Sequence, residues 1–212
     1  MNICVVSHSF YPATCYGGPI FSTYELCKAL ADLGYNIYVS TTNANGNSRL
    51  SVDTQNFVKL EKNLYVRYYY EQIIYYFSFS LFFGLWRDIK QSNLVYIQYI
   101  FHYTVPIALL YSFLLSKQTV ICPRASLSPW GIRWKGNISS FFKKMWIFFL
   151  IRPFANNIKW QGCSHIEIKD IKSLFSDANC YELSDGINTS IFSYKKNISY
   201  SDLIKKYTDR DF

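Results

Sequence analysis

Charged side chains are scarce in this sequence, and acidic ones are missing from a long stretch of it. Only 17% of the 212 residues are charged, whereas 50% are hydrophobic and 19% are aromatic. A chain this apolar is not intrinsically disordered, and its length is sufficient for one sizeable hydrophobic core. No acidic residue occurs between Asp88 and Glu167, although the whole chain carries a formal net charge of +8.

The interval without acidic residues carries the excess positive charge. Its nine basic residues are Lys90, Lys117, Arg124, Arg133, Lys135, Lys143, Lys144, Arg152 and Lys159. One continuous segment with this charge is expected to face an anionic partner, and nucleic acid, anionic lipid and a pyrophosphate substrate all fit that description. No recognised RNA- or DNA-binding motif accompanies the charge, so the sequence disfavours nucleic acid.

Several other sequence signals are also missing. The six cysteines have neither metal-binding nor redox spacing, which predicts reduced, buried thiols in a cytosolic protein. No basic segment precedes the short apolar run at the N-terminus, so we expect no signal peptide. The apolar run Ile73–Trp86 is shorter than the about 20 residues that span a bilayer, and either a core helix or an interfacial helix fits it. No metal cluster and no serine or cysteine triad stands out.

The N-terminal stretch combines a strand, a glycine loop and a helix. Ile3–Val6 is a β-branched apolar run that suits a strand buried in a parallel sheet. Gly17 and Gly18 allow positive φ values and a close backbone approach, and Pro19 fits the first position of a helix. Such a helix N-terminus is typical of a phosphate-binding site, although a tight strand-to-helix turn explains the same residues. The G-x-G-x-x-G fingerprint is absent, which disfavours an NAD-binding enzyme.

Apolar runs alternate with amphipathic runs along most of the chain. The predicted strands are Ile3–Val6, Asn36–Thr41, a short pair at Phe57–Leu60 and Leu64–Tyr70, Leu94–Gln98, Thr119–Cys122, Ile158–Cys163 and Cys180–Ser184. The predicted helices between them include Phe21–Leu33, Val105–Leu115, Ile138–Phe154 and Ser164–Phe175. This alternation predicts an α/β domain over residues 1–190, with a doubly wound, mostly parallel Rossmann-like sheet in a three-layer α/β/α arrangement. Residues 191–212 read as a polar tail.

Candidate functional residues follow the predicted strands, because ligands of open α/β sheets collect beyond the carboxyl ends of the strands. They are His8, Gly17 and Gly18 after the first strand, Gln98 and His102 after Leu94–Gln98, Arg124 after Thr119–Cys122, Ser164 and Glu167 after Ile158–Cys163, and Asp185 and Gly186 after Cys180–Ser184. Arg124 is the strongest of them, since a guanidinium binds phosphate or carboxylate through two parallel hydrogen bonds. A structural salt bridge would explain Arg124 equally well.

Structural roles also compete for the other candidates. His102 either acts as a base or packs among Tyr99, Phe101 and Tyr103, and packing is favoured. Ser164 and Glu167 have the spacing of a helix capping box. The dipeptide Asp185-Gly186 is an ordinary turn signal.

Several of these segments, taken in order, resemble glycosyltransferase family 4. The opening Tyr-Pro-x-x-x-x-Gly-Gly, from Tyr11 to Gly18, the helix end Ala-Asp-Leu-Gly-Tyr and the strand Ile-Tyr-Val-Ser-Thr are similar to the start of that family. The segment Pro-Arg-Ala-Ser-Leu-Ser-Pro-Trp, which contains Arg124, resembles its Pro-Arg-Gly-x-Leu-x-Pro-Trp. The later Ser-x-x-Glu, ending at Glu167, and Ser-Asp-Gly-Ile-Asn, containing Asp185, are similar to its Ser-x-x-Glu and Asn-Gly-Ile-Asp.

The resemblance implies a GT-B architecture, in which two Rossmann-like domains face each other across a cleft. Such enzymes transfer a sugar from a nucleotide-sugar to an acceptor with retention at the anomeric carbon, usually without a metal ion, and the first domain mainly binds the acceptor. The resemblance therefore assigns donor binding to Gly17, Gly18, Glu167, Asp185 and Gly186, with the helix N-terminus stabilising the departing charge. The catalytic candidates that it leaves are Arg124 and His102.

The sequence also departs from the family pattern. Ala125 replaces the usual glycine and Asp185 the usual asparagine, while Tyr96 and Gln98 stand where many relatives carry His-x-His. Arg124 occupies a loop in which many relatives place a histidine, so electrostatic stabilisation by Arg124 is a better prediction than a histidine base. Residues 1–212 contain no segment that resembles the family's C-terminal donor domain, so we expect either a fragment or truncated reading frame, or a second half on a separate polypeptide.

Together these features predict half of a retaining glycosyltransferase of bacterial surface-polysaccharide synthesis, with no sugar transfer by this chain alone. Its acceptor would be a glycan or a lipid-linked sugar of O-antigen, capsule or exopolysaccharide. The aromatic and basic face from Phe141 to Arg152 would dock on the anionic inner face of the cytoplasmic membrane, which predicts a cytoplasmic, peripheral protein. The alternative is a degenerate, non-enzymatic domain that binds a membrane or a partner subunit.

Overall fold

The computed structural model describes residues 1–72, 77–133 and 136–186. In these ranges the strands are β1 (Asn2–Val6), β2 (Asn36–Thr42), β3 (Ala44–Asn45), β4 (Ser48–Arg49), β5 (Val58–Glu61), β6 (Leu64–Tyr69), β7 (Leu94–Gln98), β8 (Gln118–Cys122), β9 (Ile158–Gly162) and β10 (Asn179–Glu182). The helices are α1 (Gly18–Asp32), α2 (Phe79–Lys90), α3 (Thr104–Leu114), α4 (Pro129–Arg133), α5 (Gly136–Trp146) and α6 (His165–Leu174). The predicted tail and the end of the 1–190 domain lie outside the described residues.

Eight of the strands form one sheet in the order β10-β9-β8-β7-β1-β2-β6-β5. All neighbouring strands are parallel except β5, which runs antiparallel to β6 at one edge. Cys4 in β1 lies opposite Tyr38 of β2 on one side and Val95 of β7 on the other. Strands β3 and β4 pair separately as a short antiparallel hairpin.

Helices cover both faces of this sheet. From β1 to β2 the chain moves along the sheet towards the β5 edge, whereas from β6 through β10 it moves towards the β10 edge. Because the crossovers between parallel strands are right-handed, α1 lies on one face of the sheet and α2, α3, α5 and α6 lie on the opposite face. The two faces have separate hydrophobic cores: Val5 of β1 packs with Cys27 of α1, while Val6 packs with Leu85 of α2 and Leu109 of α3. The predicted doubly wound, three-layer, mostly parallel α/β fold is therefore confirmed.

Local signals explain where the helices begin and end. Pro19 lies in the first turn of α1, and Gly34 closes the helix with a φ of 90° and a hydrogen bond to the carbonyl of Ala31. Helix α2 begins at Phe79 because the Ser78 side chain caps it by accepting a hydrogen bond from the N–H of Leu81. The prediction of a helix from Ile73 was therefore wrong for Phe77 and Ser78, and residues 73–76 lie outside the described ranges.

The predicted long helix Ile138–Phe154 is also shorter than expected. It consists of α5, a π-helical turn at Ile147–Ile151 and a 3-10 segment at Arg152–Asn157. The π turn allows Ile147 and Ile151 to point into the core together, while Phe148 and Phe149 between them remain exposed. Proline lacks the N–H that a continuing α-helix needs, and Pro153 accompanies the change to 3-10 geometry. The segment between β2 and β5 contains the β3–β4 hairpin.

A buried carboxylate fastens α2 to the sheet. Asp88, 1% exposed, forms an ion pair with Arg67 of β6 at 3.0 Å. It also accepts hydrogen bonds from the hydroxyls of Ser40 at 2.8 Å and Tyr69 at 2.6 Å. Gly84 makes this packing possible, because a Cβ at that position would overlap the Tyr69 ring and hydroxyl. The cluster therefore fixes the distance between the helix layer and β6.

Candidate functional site

Arg124 is the residue that joins the segments at the carboxyl edge of the sheet. Its side chain is only 7% exposed. The Nε–H donates to Oε1 of Gln98 at the end of β7, at 2.9 Å, and Nη2 donates to the Thr23 hydroxyl of α1 at 3.3 Å. Nη1 donates to the Asp185 carboxylate, which follows β10. Three of the five guanidinium N–H groups are therefore directed to three different elements of the fold.

The backbone at Arg124 has an uncommon conformation. Arg124 and Ala125 have φ angles of 55° and 58°, in the left-handed region that glycine adopts without a steric cost. The loop is held by hydrogen bonds from the N–H of Ser126 to the carbonyl of Pro123 and from the N–H of Ser128 to that of Ala125. The position that the family pattern fills with glycine is thus one at which glycine fits best, and Ala125 occupies it at a cost of about 1 kcal/mol.

Gly17 and Gly18 form the entrance to α1. Gly17 is the N-cap of the helix with a φ of 78°, and its N–H donates to the carbonyl of Thr14 at 3.0 Å. A Cβ at either glycine would meet no heavy atom within 4 Å, so this backbone borders open space. Pro19 has no N–H and that of Ile20 donates to the carbonyl of Gly17 at 3.2 Å, so at this N-terminus the N–H of Gly18 borders the open surface that an anion can approach.

A cluster of rings lies at the same edge, between the segments that follow β1 and β7. The His8 ring centroid is 4.7 Å from that of Tyr99 and 5.2 Å from that of His102, which lies 4.5 Å from that of Tyr103. Burial lowers the pKa of His8 to about 4, and burial together with the charge of His8 lowers that of His102 to about 3. Both imidazoles are therefore neutral at neutral pH, and His102 Nδ1 is 2.9 Å from the Thr104 hydroxyl.

Glu167 caps helix α6. The Ser164 hydroxyl accepts a hydrogen bond from the N–H of Glu167 at 3.4 Å, and Oε2 of Glu167 accepts one from the N–H of Cys163 at 2.9 Å. The Ser164 half of the predicted capping box is thereby confirmed, whereas the Glu167 carboxylate binds the N–H of the residue before the N-cap rather than that of Ser164. A role for Glu167 in donor binding stays a prediction.

Two thiols lie beside the Arg124–Asp185 pair, and the spacing of the cysteines in the sequence did not indicate them. The Sγ atoms of Cys122 and Cys163 are 3.6 Å apart, and Cys163 Sγ is 3.8 Å from Oδ1 of Asp185. The hydrogen bond from Cys163 and the charge of Arg124 lower the pKa of the Cys122 thiol, against the effect of its burial. Both cysteines are unpaired thiols, as the sequence predicted, but the prediction of burial was wrong for Cys163, which is half-buried. Gly186, next to Asp185, is exposed with open space around its Cα.

The structure thus brings Arg124, Asp185 and the second turn of α1 into direct contact, and it places His102 with His8 in a neighbouring ring cluster. Among residues 1–72, 77–133 and 136–186, no group of three or more histidine, cysteine or carboxylate side chains is arranged to hold a metal ion. None of the helices in these ranges combines the length and the hydrophobicity that spanning a bilayer requires.

Comparison with known proteins bears on the fold. No family model matches this chain, and no curated protein matches it in sequence. Among solved structures, a sucrose-phosphate synthase from Thermosynechococcus elongatus is similar with a TM-score of 0.57 and 11% sequence identity. The match covers 98% of this chain and 52% of that one, so this chain spans about half the length of the synthase.

Fold and topology define this chain as a Rossmann-like α/β domain. In particular, it has the fold of one half of a GT-B glycosyltransferase, the architecture that the sequence predicted. Membership of family 4 stays a prediction.

Proposed function

We propose that this chain is the acceptor-binding half of a retaining glycosyltransferase, which transfers a sugar from a nucleotide-sugar to a glycan or lipid-linked acceptor of a bacterial surface polysaccharide. The observation that carries this proposal is the position of Arg124. A buried guanidinium connects the helix behind the glycine loop to the ends of β7 and β10, at the edge where α/β sheets bind ligands. Fold similarity to a sucrose-phosphate synthase supports a sugar-transferring enzyme.

The chemistry of the transfer explains why positive groups belong at this edge. Cleavage of the bond between the sugar and the nucleotide releases a nucleoside diphosphate, and negative charge develops on its departing oxygen. Gly17 and Gly18 would let that diphosphate approach the backbone closely, with the N–H of Gly18 as a donor, while Arg124 contributes a fixed positive charge. Asp185, Gly186 and Glu167 would line the donor side. No metal ion has a role in this proposal.

In this scheme His102 acts as a neutral hydrogen-bonding group and not as a charged acid. Its low pKa keeps the ring neutral at neutral pH. A neutral imidazole offers one donor and one acceptor, which suits the orientation of an acceptor hydroxyl. A second α/β domain, facing the described edge, would supply the nucleotide-binding wall, so we expect this chain alone to bind ligand without sugar transfer.

Binding of nucleoside diphosphates tests the proposal directly. We would titrate the protein with UDP, GDP and ADP by calorimetry and compare Arg124→Lys with Arg133→Lys, an exposed arginine of α4. Lysine keeps the charge but loses the planar fork, so Arg124→Lys should weaken binding of the preferred nucleotide at least tenfold. The Arg133 variant should bind like the wild type. Equal affinities of all three proteins, or turnover of a nucleotide-sugar by this chain alone, would contradict the proposal.

Membrane association is the other part of the proposal. Phe141, Phe142, Phe148 and Phe149 are 55–65% exposed on α5 and the π turn, and Arg152 lies directly after them. Large rings exposed beside basic side chains suit the interface of an anionic bilayer, where each lysine or arginine near the surface contributes about 1 kcal/mol. We therefore propose peripheral association with the inner face of the cytoplasmic membrane.

A further inference from the structure

Two cysteine thiols meet at the carboxyl edge of the sheet, and the proposed sugar transfer does not use them. Cys122 is the last residue of β8, and Cys163 directly follows β9, the parallel neighbour of β8. Although 41 residues separate the two in the sequence, their Sγ atoms are 3.6 Å apart. A disulfide has an S–S distance of about 2.05 Å, so the two sulfurs need to approach by about 1.5 Å. Because Cys163 lies beyond the end of β9, that approach leaves the pairing of the strands intact.

The surroundings of the two thiols distinguish Cys122 from the other fully buried cysteines. The hydrogen bond from Cys163 and the charge of Arg124 lower the pKa of Cys122, against the effect of its burial. Burial instead raises the pKa of Cys4 and that of Cys27. The thiolate is the nucleophile in cysteine chemistry, and it forms most readily beside an arginine and a second thiol. Cys122 therefore has the environment of a reactive cysteine rather than that of an inert core residue.

Solvent reaches the two thiols from the side of Cys163. Cys122 is fully buried, whereas Cys163 is half-buried. Asp185, whose Oδ1 lies 3.8 Å from Cys163 Sγ, has a side chain that is 33% exposed. A small oxidant can therefore approach the two sulfurs from this side, while a second protein molecule is too large to reach Cys122. This difference in access favours a bond between the two thiols over a bond between two chains.

We propose that Cys122 and Cys163 are a redox-sensitive thiol pair: a hydroperoxide converts them into an intramolecular disulfide, and a thiol reductant restores them. The disulfide tethers the start of the loop 123–128, which carries Arg124, to the segment before α6. Hydrogen bonds such as the one that the N–H of Ser126 donates hold that loop in the reduced protein. Formation of the disulfide depends on the two thiols alone, so this proposal goes beyond the sugar transfer and stands independently of it.

Disulfide formation with hydrogen peroxide takes two steps. The Cys122 thiolate attacks one peroxide oxygen and the O–O bond breaks, so that Cys122 becomes a sulfenic acid and the other oxygen leaves as hydroxide, which takes up a proton from solvent. The Cys163 sulfur then attacks the sulfenic sulfur; the S–S bond forms, the S–O bond breaks, and hydroxide leaves as water with the Cys163 proton. The two thiols lose two electrons, and the peroxide gains them and becomes two molecules of water. Two molecules of a small thiol reverse the change and form a disulfide themselves.

Treatment of the wild-type protein with hydrogen peroxide at low protein concentration tests the proposal. Mass spectrometry without prior reduction should show a chain lighter by two hydrogen atoms and, after digestion, linked peptides that contain Cys122 and Cys163. Dithiothreitol should reverse both changes. Because the disulfide joins residues 41 positions apart, the melting temperature of the oxidised protein should rise by about 5 °C or more. Hydrogen exchange at the N–H of Ser126 should slow, since the loop that contains it is tethered.

Matched cysteine variants distinguish this disulfide from general oxidation. Cys163→Ser changes a half-buried position and should abolish both the linked peptides and the rise in melting temperature. Cys180→Ser makes the same change at another half-buried position, in β10, and should keep both. The proposal fails if peroxide oxidises the exposed Cys15 but leaves Cys122 and Cys163 as thiols, if it adds only oxygen atoms to the pair, or if the disulfide leaves the melting temperature and the exchange unchanged. A reversible disulfide in a protein that binds no nucleotide would support the thiol pair and count against the proposed transfer alone.

Discussion

Replacing Asp185 by asparagine separates the structural role of Arg124 from a ligand-binding role. The carboxylate accepts a hydrogen bond from Nη1 of Arg124, and the two side chains are 33% and 7% exposed. A hydrogen bond between charged groups contributes about 1.5–3 kcal/mol, and a neutral one about 1 kcal/mol. Asparagine keeps the oxygen acceptor, so we expect the free energy of unfolding to fall by about 1 kcal/mol. For a chain of this size, the melting temperature would fall by about 2–4 °C.

The affinity for an anion should change in the opposite direction. A diphosphate beside Arg124 approaches the negative charge of Asp185 to within about 8 Å, which costs about 2 kcal/mol at an effective dielectric constant near 20. Because Asp185 is partly exposed, salt with a Debye length of about 8 Å reduces that cost to about 0.8 kcal/mol. We therefore expect Asp185→Asn to bind nucleoside diphosphates about fourfold more tightly, although the variant is less stable.

Calorimetric titration at low and at high salt, together with thermal melting, measures both effects. Asp177→Asn is the matched control, because it makes the same change in net charge at an exposed position beyond α6. The control should change neither quantity appreciably. Lower stability of Asp185→Asn with unchanged or weaker nucleotide affinity would make Arg124 a structural residue only. If the control gained the same affinity, the effect would come from the change in net charge and not from the contact between Asp185 and Arg124.

Three further predictions concern stability and membrane binding. Burial lowers the pKa of His8 to about 4 and that of His102 to about 3, so the unfolded chain takes up protons first as the pH falls below about 6.5. Urea unfolding should therefore show that the free energy of unfolding falls by on the order of 2 kcal/mol per histidine between pH 7 and pH 5. Changing both histidines to asparagine should remove this pH dependence, whereas changing the third, exposed histidine should not. Gly84→Ala would force a methyl group against Tyr69 and should cost about 1–3 kcal/mol in the same assay, whereas Gly18→Ala, whose added Cβ would meet no heavy atom within 4 Å, should not destabilise the protein. Sedimentation with vesicles should show tighter binding to anionic than to neutral lipid, and Phe149→Ser should weaken it about tenfold; equal binding to both lipids would refute membrane docking.

The sheet was largely predictable because each buried strand is a short apolar run between turn signals. Leu94–Gln98 was predicted with the bounds that the structure shows, and Asn36–Thr41 differs by one residue. Helix α1 was predictable for a similar reason, since proline and glycine mark its two ends. These signals depend on neighbouring residues alone, so a single sequence contains them.

The contacts of the candidate site depend on distant residues, and local patterns cannot supply them. Arg124 was singled out by its position after a strand, but its partners Gln98, Asp185 and Thr23 lie 26, 61 and 101 residues away. The same limit applies to the thiol pair and the ring cluster. Helix α4 was missed because its five residues are too few to show a helical period, and the change to π geometry after Trp146 was missed because the hydrophobic pattern continues across it. Donor binding by the glycines and catalysis by Arg124 or His102 stay predictions.

The central position of β1 has a consequence for biosynthesis. This strand is made before the other strands of the sheet, and it pairs with β2 on one side as soon as α1 and β2 have followed. Its other neighbour, β7, is made only after β6 and α2 are complete. A nascent chain that stops short of Leu94 therefore displays an apolar strand with unpaired N–H and carbonyl groups, the type of edge that recruits other chains. If translation stalled before Leu94, the unpaired side of β1 would stay exposed and would be a binding site for chaperones.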